Sequence, residues 1–244
     1  MKPPRLSPRP LGLSVKPGSK LKPAAPPRAE AGYGPDDLTR DCAVSRETVE
    51  RLVTHRRLLE AWAEAINLVG PKELDEYWRR HALDCAQLVA LAPGARHWVD
   101  LGAGAGFPGL VVAALLAGRP GGQVDLVEAN AKKCAFLREA ARAMAVPARV
   151  QFGRIESVVP GRIGACDVVC ARALAPLSRL INHAKPLLDG GAIGLFPKGA
   201  DWESELIEAG FVRDGGDYRR SDLTAEALDS LSDPRARVIR MRKA

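Results

Sequence analysis

The sequence is poor in cysteine and in aromatic residues, and it contains no long apolar segment. The five cysteines form no Cys-x-x-Cys pair, which argues against a zinc site, and their odd number argues against a complete set of disulfides. No segment approaches the roughly 18 apolar residues of a membrane span. Residues 1–34 lack the apolar core of a signal peptide. These absences predict a protein of a reducing cytoplasm that holds no metal and enters no membrane.

The net charge of +7 is unevenly distributed along the chain. Residues 1–34 contain seven Lys or Arg and one Glu, a charge of +6, whereas the other 210 residues are close to neutral. This stretch also holds eight prolines and shows no hydrophobic periodicity, which predicts a disordered basic tail. Such a tail suits a polyanionic partner or simply keeps the chain soluble.

Hydrophobic periodicity divides the rest of the chain into an N-terminal helical cap, residues 35–94, and an α/β core, residues 95–244. One helix is predicted from Ser45, and a second helical region from Pro71 to about Ala92. In the core, short apolar strands alternate with helices, which is typical of a mostly parallel sheet with helices on both faces. The predicted strands are 98–101, 123–128, 148–152, 166–170 and 192–196, followed by a hairpin-like end at 211–219 and 236–241.

A glycine-rich segment follows the first predicted strand. Residues 100–109 read Asp-Leu-Gly-Ala-Gly-Ala-Gly-Phe-Pro-Gly, which fits a Gly-x-Gly-x-x-Gly nucleotide fingerprint or a tight turn without a ligand. Asp100 favours one ligand class, because a carboxylate here would repel the pyrophosphate of a dinucleotide and attract a cation. S-adenosylmethionine carries an ammonium and a sulfonium group. The segment from Asp100 through Gly104 is therefore predicted to bind S-adenosylmethionine.

Two further strand ends carry groups that suit a nucleoside. Glu128 ends the second strand about 20 residues after the glycines, where an acidic side chain accepts from both ribose hydroxyls. A solvated carboxylate would look the same, and Glu128 would serve NAD and S-adenosylmethionine equally. After the third strand, backbone groups of Ile155 and Glu156 are placed to read an adenine edge, although an ordinary turn would have the same sequence.

Cations end the fourth and fifth predicted strands. Because strand carboxyl ends face the ligand crevice of an open α/β sheet, Arg172 is predicted to point towards the bound substrates. Arg172 or Lys198 could hold an RNA phosphate or the cofactor carboxylate, or be a plain surface charge. In the cap, His81 and Asp84 stand three residues apart and can share a helix face, either as a simple surface pair or as part of a site.

Taken together, these segments closely resemble the small-subunit ribosomal RNA methyltransferase G family, also called glucose-inhibited division protein B. The resemblance covers roughly residues 45–244. The Gly-Phe-Pro-Gly turn and the Arg-His-x-x-Asp helix distinguish this family from generic methyltransferases. The segments that carry the resemblance are 67–68, 80–84, 100–109, 130–138, 171–173 and 198–199.

The resemblance implies a bacterial cytoplasmic enzyme that methylates N7 of one guanine in 16S ribosomal RNA, with S-adenosylmethionine as cofactor. It also implies a Rossmann-like class I fold whose seven-stranded sheet is mostly parallel, with an antiparallel last strand. Glu128 would hold the ribose, and Arg80, His81 and Lys198 are predicted to contact RNA. The cofactor contacts carried over by position fall on Gly102, Phe107, Ile155, Glu156 and Arg172.

Guanine N7 has a lone pair and no proton, so the implied reaction needs positioning rather than a general base. We therefore predict no acid–base residue, with Arg172 near the reaction centre, and 16S rRNA or a small-subunit ribosomal particle as partner. Two other functions stay open on the residues alone: an NAD-dependent oxidoreductase, and a nucleotide- or RNA-binding module without catalysis. Val69, Cys85 and the Glu128-Ala129 pair depart slightly from the usual family pattern.

Overall fold

A computed structural model describes residues 32–63 and 66–244, so nearly all of the predicted tail, residues 1–34, lies outside the described residues. The helices are α1 (Pro35–Cys42), α2 (Arg46–Ala63), α3 (Pro71–Asp75), a π-helix (Tyr77–Leu83), α4 (Asp84–Leu91), α5 (Gly109–Leu116), α6 (Ala131–Ala143), α7 (Ile155–Arg162), α8 (Leu177–Asp189) and α9 (Trp202–Glu208). The strands are β1 (His97–Leu101), β2 (Gln123–Glu128), β3 (Ala148–Phe152), β4 (Val168–Cys170), β5 (Ile193–Lys198), β6 (Val212–Asp214), β7 (Asp217–Arg219), β8 (Leu223–Asp229) and β9 (Arg237–Lys243).

Five parallel strands form one half of the sheet, in the order β3-β2-β1-β4-β5. β1 and β2 are buried along nearly their whole length, and this double-sided burial explains their continuous apolar character. The last strand, β9, runs antiparallel to β5 and places Ile239 opposite Phe196. The α/β class, the parallel half and the antiparallel last strand are thus confirmed.

The described sheet has nine strands rather than the predicted seven. The predicted strand 211–219 turns at Gly215, where φ is 65°, and forms the β6–β7 hairpin instead. The sequence does not predict β8, because Leu-Thr-Ala-Glu-Ala-Leu-Asp is rich in helix-forming residues. β8 nevertheless pairs with β9 along its length. This register sets Glu226 opposite Arg240 and Asp229 opposite Arg237, two pairs of opposite charge that favour the strand pairing.

The helical region from Pro71 is not one continuous α-helix. It divides into α3, the π-helix and α4, and hydrophobic periodicity cannot distinguish this arrangement from a single helix. π-helical turns are rare and frequently lie at functional sites. Two short helices, α1 and α7, were not predicted either. Each buries few side chains: Leu38 in α1, and Val158 and Val159 in α7.

The core consists of two hydrophobic clusters, one on each face of the sheet. Alternation along β1 places Trp98 in one cluster and Val99 in the other. Side chains of the cap, such as Leu52 and Tyr77, belong to the Trp98 cluster together with residues of α5 and α6. Since side chains from both sides of residue 94 share this cluster, the predicted division into cap and core stays a prediction.

Candidate active site

The glycine segment forms a tight loop between β1 and α5. Gly102, Gly104 and Gly106 all have positive φ, of 72°, 52° and 90°. A Cβ on Gly102 would lie 2.5 Å from a methyl of Leu174, and one on Gly106 would lie 2.4 Å from a methyl of Leu110. A Cβ on Gly104 would meet nothing nearer than 3.7 Å, the carbonyl oxygen of Gly102. The first and third glycines are thus fixed by packing, whereas the backbone at Gly104 is open for close approach by a ligand.

Asp100 lies beneath this loop and holds the start of α5. Its side chain is 0% exposed, and its Oδ2 accepts from the Gly109 amide at 2.9 Å. Burial is the main reason that its pKa rises to about 7. The predicted direct contact of Asp100 with a cationic ligand is not possible in this arrangement, because the side chain has no exposed atom. Its observed role is to position the loop.

Glu128 supports the same loop from the end of β2. Its Oε2 accepts from the Gly104 amide at 2.9 Å, and its Oε1 accepts from the Asn130 amide at 2.7 Å. The side chain is half-buried, and these two bonds fix the direction of its carboxylate. The structure thus brings Glu128 to the glycine loop, and its predicted contact with a ribose stays a prediction.

Ile155 and Glu156 form the first turn of α7, beside the end of β3. Amides in the first turn of a helix have no partner within the helix, so they can donate to a ligand. The Gly153 amide donates to the Glu128 carbonyl at 3.0 Å and brings this turn next to β2. The exposed Glu156 carboxylate lies 3.4 Å from Nδ1 of His183 on α8. Adenine recognition by the two amides stays a prediction.

Arg172 follows β4, but its guanidinium points to the helical cap. It donates to the Arg80 carbonyl at 3.1 Å and to Asp84 Oδ2 at 3.4 Å, and it also bonds to His81 Nδ1. Its central carbon lies 5.3 Å from the centroid of the Phe107 ring, on which the His81 ring stacks at 4.6 Å. The turn of the glycine loop, the end of β4 and the π-helix thus meet in one cluster.

The protonation of His81 follows from this cluster. An arginine only donates, so Nδ1 must accept and the imidazole must be neutral. Burial, together with the charges of Arg172 and Arg80, lowers the pKa of His81 to about 3. The residue is only 3% exposed, so the predicted direct contact of His81 with RNA has no accessible atom in this arrangement. His81 instead orients Arg172.

A second set of contacts, which the sequence does not predict, surrounds Asp84. Its Oδ1 accepts from the Ser232 hydroxyl at 2.8 Å, and Gln87 binds the same loop between β8 and β9 through Ser230 and the Leu231 amide. Asp84 and Ser232 are 148 residues apart in the chain. No local pattern indicates such a pair, and only the unpredicted strand β8 brings the loop to the cap.

A cleft of about 1510 Å³ opens between the π-helix, the ends of β4 and β5 and the β8–β9 loop. Arg80, Arg172 and Lys198 all line it. Lys198 is only 11% exposed and donates to Glu205 at 2.7 Å and to the Ala175 carbonyl at 3.1 Å. Arg80 is 63% exposed and pairs with Glu76 at 3.1 Å. Of the three, Arg80 is thus the cation most open to a polyanion.

Within residues 32–63 and 66–244, no group of three or more His, Cys, Asp or Glu side chains is arranged to hold a metal ion. Across the same described span, no helix combines the length and apolar character needed to cross a membrane.

Solved structures of low sequence identity share the fold. The O-methyltransferase TomG from Streptomyces achromogenes, solved in complex with SAM, is 15% identical with a TM-score of 0.50, and the match covers 79% of this chain and 88% of that one. Cofactor-bound Rv0187 from MTB is 16% identical with a TM-score of 0.50, and the match covers 86% of this chain and 96% of that one. At these identities the likeness concerns the α/β fold alone.

Sequence relatives are much more similar. Ribosomal RNA small subunit methyltransferase G of Methylobacterium radiotolerans is 50% identical over 199 residues, 81% of this chain and 89% of that protein. The protein of the same name from Parvibaculum lavamentivorans is 50% identical over 201 residues, which are 82% of this chain and 84% of that protein. The family model described as rRNA small subunit methyltransferase G matches residues 48–212, from the cap to β6. This chain therefore belongs to the rRNA small subunit methyltransferase G family, GidB.

Proposed function

We propose that this protein transfers a methyl group from S-adenosylmethionine to N7 of a guanine in 16S ribosomal RNA. The observation that carries the proposal is the Glu128 carboxylate bound to the Gly104 amide at 2.9 Å, a nucleoside-binding arrangement in a chain of this family. The substrate is 16S rRNA, free or within a small-subunit particle, and such a substrate places the reaction in the bacterial cytoplasm.

The residues around the loop fit the parts of the cofactor. The half-buried carboxylate of Glu128 would accept from the ribose hydroxyls, and the open backbone at Gly104 would allow close approach. The first-turn amides of Ile155 and Glu156 would meet the adenine. Gly102 and Phe107 shape the loop, and Asp100 supports it from below through Gly109.

A dinucleotide fits this loop less well. The pyrophosphate of NAD requires free backbone amides on the glycine turn and at the following helix. Here the Gly104 amide already donates to Glu128, and the Gly109 amide donates to Asp100. Two backbone donors that a pyrophosphate would use are therefore already bonded to carboxylates, which argues against NAD.

The main task of the side chains in this reaction is to position the two reacting groups. Bound S-adenosylmethionine supplies an electrophilic methyl group, and guanine N7 supplies a lone pair that carries no proton. The protein must hold the two in line about 3 Å apart, an effect that can supply several kcal/mol. Arg172 stands between the glycine loop and the cleft lined by Arg80 and Lys198, where the RNA would bind, and it would fix the position of one relative to the other.

A transfer assay tests this function. Purified protein should transfer labelled methyl from S-adenosylmethionine to 16S rRNA or to small-subunit particles, and mass spectrometry of the nucleosides should show N7-methylguanosine. Glu128→Ala should weaken calorimetric binding of S-adenosylhomocysteine about tenfold or more. The matched control, Glu50→Ala, removes an exposed pair with Arg46 and should leave binding unchanged. Cofactor binding without transfer to either substrate would instead show a non-catalytic binding module.

A further inference from the structure

His55 is a buried polar residue to which the proposed function assigns no role. It lies in α2 and is 0% exposed. Its Nε2 is 2.9 Å from the Ala105 carbonyl oxygen, and its Nδ1 is 3.1 Å from the Tyr77 hydroxyl. Ala105 lies in the glycine loop between Gly104 and Gly106, whereas Tyr77 begins the π-helix. One imidazole therefore bridges the predicted cofactor loop and the π-helix, which carries Arg80, the cation of the cleft that is most open to a polyanion.

The protons of this bridge can be assigned. A carbonyl oxygen only accepts, so Nε2 of His55 must carry the hydrogen that faces Ala105. Burial lowers the pKa of His55 to about 4, so at neutral pH Nδ1 keeps its lone pair for the Tyr77 hydroxyl. That hydroxyl has a single hydrogen and can also donate it to the Leu52 carbonyl of α2, 3.0 Å away, so this carbonyl and Nδ1 of His55 compete for the same hydrogen. The ring thus has one tautomer, with its donor directed at the loop.

The glycine loop depends on such external contacts. Because Ala105 has a glycine on each side, the backbone here has little conformational preference of its own. The Gly104 amide donates to Glu128 at the end of β2, and the carbonyl of the following residue, Ala105, accepts from His55 of the cap. The His55 ring also packs edge-on against Phe107 at 5.1 Å. Sheet and cap together therefore determine the shape of the loop.

We propose that His55 is a positioning residue that couples cofactor binding at the glycine loop to RNA binding at the π-helix. The proposal rests on the proposed function. Both ligands favour the arrangement in which the Ala105 carbonyl, the His55 ring and the Tyr77 hydroxyl are joined, so each ligand raises the affinity for the other. Loss of the bridge weakens cofactor binding and the coupling, while the reacting groups stay in place.

The experiment compares S-adenosylhomocysteine binding with and without saturating 16S rRNA, alongside steady-state kinetics. In the wild-type protein, RNA should tighten binding about fivefold or more. His55→Phe keeps a ring but removes the donor. It should raise the cofactor Kd and KM about tenfold, leave kcat at saturation within about twofold and bring the coupling factor near one.

Further variants separate positioning from packing. His55→Gln can donate an amide hydrogen close to the position of Nε2 and should restore most of the affinity. Tyr77→Phe should keep the affinity for S-adenosylhomocysteine and lose the coupling to RNA. The control Trp62→Phe changes the same helix where it packs on Phe136 and should alter neither quantity.

Two results would overturn the role of His55. One is wild-type KM and coupling in His55→Phe. The other is an equal loss in His55→Gln, His55→Phe and Trp62→Phe that follows their melting temperatures, which would show a purely structural effect. Absence of S-adenosylhomocysteine binding by the wild-type protein would contradict the proposed function itself, and the coupling with it.

Discussion

Nη1 of Arg172 donates to the backbone carbonyl of Arg80 across 3.1 Å, and this contact joins the end of β4 to the π-helix. The same guanidinium reaches Asp84 at 3.4 Å and bonds to His81. A planar group with five donors can make such a set of contacts at once, whereas a lysine ammonium cannot. Arg172 therefore connects the sheet to the cap, whereas the sequence predicted that it holds an RNA phosphate or the cofactor carboxylate, or is a plain surface charge.

Replacement of Arg172 should consequently lower turnover more than replacement of the other strand-end cations. Arg172→Ala removes this connection, so the half-buried Asp84 and the Arg80 carbonyl lose the guanidinium as a partner, and kcat/KM for 16S rRNA should fall at least tenfold. Arg172→Lys should recover little of the loss, since an ammonium cannot reproduce the planar contacts. Initial rates at varied RNA and cofactor concentrations measure both effects.

The matched controls are Arg154→Ala, an exposed residue at the start of α7, and Lys198→Ala, which breaks the pair with Glu205. Each should reduce turnover less than Arg172→Ala. Unchanged kcat and KM for both substrates in Arg172→Ala would show that this connection has no part in the reaction.

Asp84 should couple energetically to Ser232, because the Ser232 hydroxyl donates to Asp84 Oδ1 at 2.8 Å. Urea unfolding of Asp84→Ala, Ser232→Ala and the double variant should give a coupling free energy of about 0.5–1.5 kcal/mol. As a control, Asp189 pairs with Lys185 on α8, away from Ser232. The losses of unfolding free energy in Ser232→Ala and Asp189→Ala should therefore add in the double variant. Additivity in the Asp84 cycle would mean that the Asp84–Ser232 bond adds nothing, and that the cap holds the β8–β9 loop through Gln87 and Arg79.

Features of this fold that depend on neighbouring residues could be predicted from the sequence, whereas contacts between residues far apart in the chain could not. The bounds of β2 and β3 agree with their apolar runs, and Glu128 lies beside the glycines because parallel strands end at one edge of the sheet. By contrast, the sequence of β8 favours a helix, and only its pairing with β9 makes it a strand. The Asp84–Ser232 contact depends on that strand and was therefore beyond sequence reasoning.

Burial was the second source of error. Residue type and spacing placed Asp100 and His81 at the site, and both lie there. Their side chains, however, face inward to Gly109 and to Arg172 rather than outward to ligands. The direction of a polar side chain depends on the packing of the cap over the loop, and a single sequence carries little information about that packing.

Asp100 should make the protein less stable as the pH rises. Its pKa in the folded protein is about 7, above the ordinary value of 3.8, so between these values the folded state binds more protons than the unfolded state. The free energy of unfolding should therefore fall with pH by up to about 1.4 kcal/mol per unit in this window. Asp100→Asn cannot titrate there.

Urea unfolding between about pH 4.5 and pH 7.5 checks this sign, because contributions of other groups cancel between wild-type and Asp100→Asn proteins. The stability of the variant relative to wild type should increase with pH across the window. A difference that is independent of pH would mean that Asp100 is ionised throughout, and that its surroundings are more polar than its contacts indicate.

The chemical step itself should proceed without a general base, and the histidines of the site make this testable. The pKa of His81 is lowered to about 3 and that of His55 to about 4, so neither imidazole changes charge at neutral pH. Among the groups at the loop, Asp100 has a pKa of about 7. In Asp100→Asn the single-turnover rate, with excess protein and saturating cofactor, should be nearly flat from about pH 6 to about pH 9.

The wild-type profile should differ from that of Asp100→Asn only near pH 7, through the loop that Asp100 supports. His81→Gln should weaken RNA binding or stability, because Arg172 loses an orienting partner, and should leave the slope of the profile unchanged. A rise of one log unit per pH unit in Asp100→Asn would reveal a base that removes a proton. Guanine N7 carries none, so that result would assign the methyl group to an amine or a hydroxyl instead.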